Sequence, residues 1–158
     1  MDPWKVEGYA PKKLLITGAY GMPGGTVYCY LFNQPERYSL FGMDVRSTPR
    51  EDLLPEWSPH IPEDRLLVGD MSDFDSVARA VEGVDLVIHF AAVIDPYAPW
   101  ESVLKSNVVG THNLFEANRQ AHVERVIFGS LVDGYVDLVF AQRLLPVSAP
   151  FDRCTDGG

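Results

Sequence analysis

The chain is poor in cysteine, in positive charge and in long apolar runs, and each scarcity removes a class of protein. Its only cysteines are Cys29 and Cys154. One falls in a predicted helix and the other near the end, so two free thiols are expected rather than a disulfide framework or a metal clip. Lysine and arginine number 13 against 22 aspartates and glutamates, a formal net charge of -9. Nucleic acid and anionic membrane surfaces both want a basic face, so neither is expected as a main partner. No run is long enough to cross a bilayer. Met1 to Lys13 carries Pro3, Pro11 and scattered charge instead of the apolar core of a signal peptide. A cytoplasmic protein is the expectation. The four histidines, His60, His89, His112 and His122, share no ligand spacing with one another or with carboxylates, and no metal is expected.

With 158 residues, 46% of them hydrophobic and 22% charged, the composition suits one soluble globular domain. The most informative stretch is Leu14-Leu15-Ile16-Thr17-Gly18-Ala19-Tyr20-Gly21-Met22-Pro23-Gly24-Gly25. An apolar run breaks into glycines spaced G-x-x-G-x-x-G and resumes as a helical pattern, which reads as strand, tight turn and helix N-terminus. Glycine permits positive φ and close approach of a ligand to the backbone, and the helix that follows points free N–H groups at an anion. Such a turn is built to hold a phosphate.

Downstream, the apolar pattern predicts strands at Lys13–Thr17, Tyr38–Asp44, Arg65–Val68, Asp85–Phe90 and Arg125–Phe128. Helices are predicted from Met22 to Asn33, from a Ser72 cap to Glu82, and from Trp100 to His122. Val103, Val108, Leu114, Phe115 and Ala117 of the last helix are available to the core. Arg46 to Asp64, with Pro49, Pro55, Pro59 and Pro62, is too broken for a regular element and reads as a flexible surface loop. Strands and helices alternate at the period of βαβ units, which implies a doubly wound, Rossmann-like parallel sheet within residues 1–130. Ligands of such sheets bind beyond the carboxyl ends of the strands. The glycine turn, Asp44, Asp70, Ala91-Ala92 and Ser130 all follow strands directly.

That context makes the turn a dinucleotide site. Asp44, with Val45 and Arg46 behind it, ends strand two, where a carboxylate accepts both ribose hydroxyls and repels an added phosphate. NAD is therefore preferred to NADP, although the Arg46 guanidinium could pair with that phosphate. Asp70 could bond the adenine amino group and Met71 could cover the ring; alternatively, Asp70 and Ser72 only cap the next helix. His89 reads as a packed, hydrogen-bonded core residue, and Trp57, Trp100 and the tyrosines as packing residues.

These segments resemble the extended short-chain dehydrogenase/reductases, the NAD-dependent epimerase/dehydratase family. Thr17 to Gly24 is similar to the family's T-G-x-x-G-x-x-G, which assigns Gly18, Tyr20, Gly21, Met22, Pro23 and Gly24 to the pyrophosphate. Gly69-Asp70-Met71 resembles its adenine-side motif. His89-Phe90-Ala91-Ala92, followed by Val93, resembles the segment that walls the nicotinamide. Asn107-Val108-Val109-Gly110-Thr111 is similar to its N-v-x-G-T helix segment, and Val126 to Ser130 to its fifth strand. The resemblance implies a nicotinamide dinucleotide, a sugar or sugar-nucleotide substrate of the kind used by epimerases and uronate dehydrogenases, and a homodimer.

Family catalysis uses a hydroxyl after strand five and then a Tyr-x-x-x-Lys pair, whose lysine lowers the tyrosine pKa for proton transfer. Here Ser130 is followed by Leu131, Tyr135 has Val139 four positions on, and no lysine occurs after Lys105. The expectation is a sheet incomplete at its C-terminal side, with 131–158 a divergent, truncated or frame-shifted tail. No catalytic residue is assigned. A chain that binds NAD without turnover is expected, with an active sugar oxidoreductase or epimerase and an empty scaffold as alternatives.

Overall fold

The structure, a computed structural model, describes residues 10–130; residues 1–9 and the predicted tail at 131–158, including Tyr135 and Cys154, lie outside the described residues. Five strands, β1 (Lys12–Thr17), β2 (Tyr38–Asp44), β3 (Leu66–Val68), β4 (Leu86–His89) and β5 (Arg125–Phe128), form one sheet in the order β3-β2-β1-β4-β5. Every neighbouring pair is parallel. Leu15 of β1 lies between Phe41 of β2 and Val87 of β4. The chain winds outward from β1 in both directions, which opens a crevice at the carboxyl ends of β1 and β4.

Alternation along β1 divides the core between the two faces. Leu14 and Ile16 join Tyr28 of helix α1 (Met22–Phe32), whereas Leu15 joins Val77 and Val81 of α2 (Phe74–Val81) and Leu114 and Ala117 of α4 (Gly110–Gln120). Pro23 opens α1, where its missing N–H leaves no bond unmade. α2 ends before Gly83, which takes a φ of +67°.

Four expectations need correction. Ser72 does not cap α2: Asp73 is its N-cap and accepts the Asp75 N–H at 3.2 Å, while Ser72 is drawn back onto Asp70. The proline-rich connection between β2 and β3 is not a free surface loop. It carries short 3₁₀ turns at Pro55–Trp57 and Glu63–Arg65 and buries Pro59 and Ile61 in the α1 face of the core, doing there what a crossover helix would do. Gly25 admits it, since a Cβ there would lie 2.0 Å from the Trp57 carbonyl oxygen.

The third correction concerns the long helix, which contains a π-helical segment, Leu104–Val109, between α3 (Trp100–Val103) and α4. The Gly110 N–H reaches back five residues to the Lys105 carbonyl. This wider turn shifts the phase of the apolar stripe. Leu114 and Ala117 are buried against α2, but Val108 and Phe115 stay exposed. Finally, not all the large aromatics pack inward: Tyr30, Tyr97 and Trp100 are exposed, while Tyr20 and Tyr28 are buried.

Candidate functional site

The glycine turn joins β1 to α1 and is held by backbone geometry. Gly18 takes a φ of +68°, and a Cβ on it would sit 2.8 Å from the Ala91 nitrogen. Gly24 lies so close to the turn that its Cβ would fall 2.1 Å from the Gly18 carbonyl oxygen. These two glycines are demanded by the fold. Gly21 differs: a Cβ there meets only the Gly18 carbonyl oxygen, at 3.2 Å, and is otherwise in open space. No side chain caps the start of α1, where the helix dipole favours an anion.

Asp44 ties the turn to the end of β2. One carboxylate oxygen accepts the Tyr20 N–H at 2.9 Å and the other accepts the Arg46 N–H at 3.0 Å. Each oxygen keeps a second lone pair for a hydroxyl donor. Tyr20 thus serves the site through its backbone. Its ring is buried in the α1 face of the core and its hydroxyl meets the backbone of Ile61; burial is the main cause of its raised pKa.

Asp70, after β3, accepts the Ser72 N–H and hydroxyl on one oxygen, each at 2.9 Å, and the Lys105 ammonium on the other, also at 2.9 Å. The Ser72 N–H bond, aided by the Lys105 ammonium, holds its carboxyl below the usual range. Met71 is pinned by Asn113, whose amide donates to the Met71 carbonyl at 3.0 Å, and by Gly110, whose Cβ would come within 2.7 Å of the Met71 Cβ.

Beneath the turn, Thr17 and His89 form a buried pair with 2.6 Å between Oγ1 and Nδ1. The Ala91 N–H also points at Thr17 Oγ1, at 3.4 Å. The direction of the Thr17–His89 hydrogen bond follows the imidazole tautomer, since the hydroxyl can either donate to Nδ1 or accept from it. Burial pushes the His89 pKa down to about 4. This is the packed, hydrogen-bonded histidine the sequence implies.

A cleft of about 400 Å³ gathers Gly18, Tyr20, Gly21, Asp44, Val45, Arg46, Asp70, Met71, Phe90, Ala91, Ala92 and Val93 from the ends of four strands. Five other predicted residues do not line it. Met22 and Pro23 are exposed on the first turn of α1, and Gly24 is buried beneath the turn. Ser130 is exposed beyond β5. Asn107 instead clamps the wall: its amide oxygen accepts the Val93 N–H at 2.8 Å and its amide nitrogen donates to the Val93 carbonyl at 2.9 Å. The cleft also contains Gly69 of the adenine-side motif and residues not singled out from the sequence, namely Met43, Arg50, Ser102, Lys105 and Ser106. The last three come from the α3 and π-helical region, whose turn toward β3 has no signature in the periodicity. A second hollow of about 300 Å³, near Lys13, Arg65 and Arg79, holds none of the predicted residues.

The donor set fits a nicotinamide dinucleotide. An open glycine and uncapped helix N–H groups suit a pyrophosphate, and a doubly accepting carboxylate suits a ribose diol. Among the described residues, no group of three or more His, Cys, Asp or Glu could hold a metal, and no helix is long and apolar enough to cross a membrane.

Comparison with known proteins gives the same picture. The profile of the NAD dependent epimerase/dehydratase family matches residues 14–135. The NAD-dependent glucose-6-phosphate dehydrogenase of Haloferax volcanii is 34% identical over 118 residues, covering 74% of this chain and 42% of the relative. The uronate dehydrogenase of Pseudomonas syringae pv. tomato is 33% identical, covering 75% of this chain and 39% of the relative. Among solved structures, a uronate dehydrogenase variant from Agrobacterium tumefaciens complexed with NAD superposes with a TM-score of 0.60 at 29% identity. It covers 77% of this chain and 41% of that one. MoeE5 in complex with UDP-glucuronic acid and NAD gives a TM-score of 0.59 at 27% identity, covering 75% and 36%. The chain thus spans about two fifths of the length of these relatives.

Proposed function

The chain belongs to the NAD-dependent epimerase/dehydratase family, and from that premise we propose that its cleft binds NAD and that the chain alone does not turn over a substrate. The observation that carries the binding is the Tyr20–Asp44 hydrogen bond of 2.9 Å. It makes the phosphate-facing turn and the ribose-facing carboxylate one unit in one cleft. The uncapped start of α1 holds the pyrophosphate, with Gly21 leaving room for it. Asp44 accepts the adenosine ribose hydroxyls, and Asp70 accepts from the adenine amino group. Phe90, Ala91, Ala92 and Val93 wall the nicotinamide half, held in place by Asn107. Bound NAD would supply a hydride acceptor.

Thermal unfolding of the full chain tests this reading. A ligand that binds only the folded state stabilises it by about 2.7 kcal/mol at a hundred times its Kd, so saturating NAD is expected to raise the Tm by several degrees. NADP is expected to need about ten times the concentration, because its added phosphate meets Asp44. No shift at millimolar NAD would contradict the proposal.

The absence of turnover rests on the sequence after β5, where the position four after Tyr135 is Val139 and not a lysine. Without that pair the proton of a substrate hydroxyl lacks the family's acceptor. Incubation with NAD and a panel of uronates and UDP-sugars is expected to form no NADH above background. The second reading, an active sugar oxidoreductase, draws on the likeness to glucose-6-phosphate and uronate dehydrogenases. NADH formation with any member of the panel would favour it.

A further inference from the structure

Lys105 and Asp70 set a hydrogen-bond donor and an acceptor side by side on one wall of the cleft. Their charged atoms are 2.9 Å apart, and both side chains keep substantial exposure, 63% and 45%. The supporting structure is firm: Asn113 and Gly110 pin the helix to Met71, and the π-helical turn begins at the residue before Lys105. An exposed ion pair contributes little to stability, so both groups are available to a ligand at little cost to the fold.

Lone-pair arithmetic limits what the pair can read. Asp70 has about four acceptor positions. Ser72 takes two on one oxygen and Lys105 takes one on the other, which leaves one on a residue that lines the cleft. Lys105 has three N–H donors and gives one to Asp70, so two are left. A purine with a 6-amino group satisfies the acceptor. A purine with a 6-oxo group satisfies the donor. The other cations of the cleft, Arg46 and Arg50, follow β2, and Arg50 is paired with Asp52.

We propose that Lys105 and Asp70 form a dual reader of the purine 6-position, Asp70 accepting from adenine and Lys105 donating to hypoxanthine, so that the cleft takes both dinucleotides. This inference rests on the reading of the cleft as a dinucleotide site. Lys105 acts here as a specificity-determining residue.

The test titrates the full chain with NAD and with nicotinamide hypoxanthine dinucleotide by calorimetry, in the wild type, Lys105→Met and Lys105→Arg. The wild type is expected to bind the two ligands within about threefold of each other. Lys105→Met is expected to weaken the hypoxanthine dinucleotide about tenfold or more relative to NAD, the loss of one charged hydrogen bond. Lys105→Arg retains donors and should restore most of that loss. Equal changes for both ligands in Lys105→Met, or no change in either, would overturn the dual reader. So would a wild type that rejects the hypoxanthine dinucleotide more than about tenfold. A wild type that binds neither ligand removes the dinucleotide reading and this inference with it.

Discussion

Replacing Gly21 by valine is expected to weaken NAD binding by about 100-fold or more while the protein still folds. Gly21 is the N-cap of α1 with φ -80° and ψ 162°, an extended conformation that valine adopts readily. A Cβ there crowds only the Gly18 carbonyl oxygen, at 3.2 Å, which a shift of a few tenths of an ångström relieves. The isopropyl group would then stand in front of the first N–H groups of α1, in the space the pyrophosphate needs. A 100-fold loss corresponds to about 2.7 kcal/mol, within reach of two charge-assisted hydrogen bonds. Gly18 and Gly24 would be poor choices for this experiment, because side chains there collide with backbone and disturb folding. Unchanged NAD affinity in a folded Gly21→Val protein would refute the placement of the phosphate.

Acid should destabilise the protein through His89 before it reaches the carboxylates. In the folded chain burial holds the His89 pKa near 4, against 6.5 for the free side chain. Between these values the unfolded state binds a proton that the folded state refuses. The stability is therefore fully present above about pH 6.5 and falls as the pH drops toward 4. The loss is about 3 kcal/mol. Glu116, lowered to about 2 chiefly by Arg119, loses its preference only at lower pH, between its usual value of 4.5 and about 2. Urea midpoints at pH 7, 5.5 and 4.5 would read the effect. A His89→Gln variant keeps an acceptor for Thr17 and should show a much flatter slope over that range. Equal slopes in the two proteins would exclude His89 as the cause.

The sheet was largely legible because buried parallel strands are apolar almost end to end, so Leu14 to Ile16 and Leu86 to Ile88 identify themselves. The glycine turn and Asp44 were legible for a different reason: a strand end followed by glycine or an acid has few structural explanations. Features decided by packing between distant segments were not. Asp70, Ser72 and Asp73 are all good capping residues within four positions, and only the path of the chain selects Asp73. Proline content marked the β2–β3 connection as irregular but could not reveal that Pro59 and Ile61 are buried. The π-helical turn at Leu104–Val109 leaves the apolar pattern looking helical throughout. Lys105 therefore carried no assignment, and Val108 and Phe115 read as core. Asn107 was expected among the cofactor-binding residues, yet its contact is with the Val93 backbone, an arrangement that needs both segments in view.

Backbone amide hydrogen exchange of the full chain, with and without NAD, tests the central claim most directly because it locates the cofactor as well as detecting it. NAD is expected to slow exchange at Met22 and Gly24 and at Ala91 to Val93, leaving the amides of α2 and of Gln120 to Glu124 unchanged. Protection confined to other segments, or none at saturating NAD, would contradict a cofactor seated on the glycine turn.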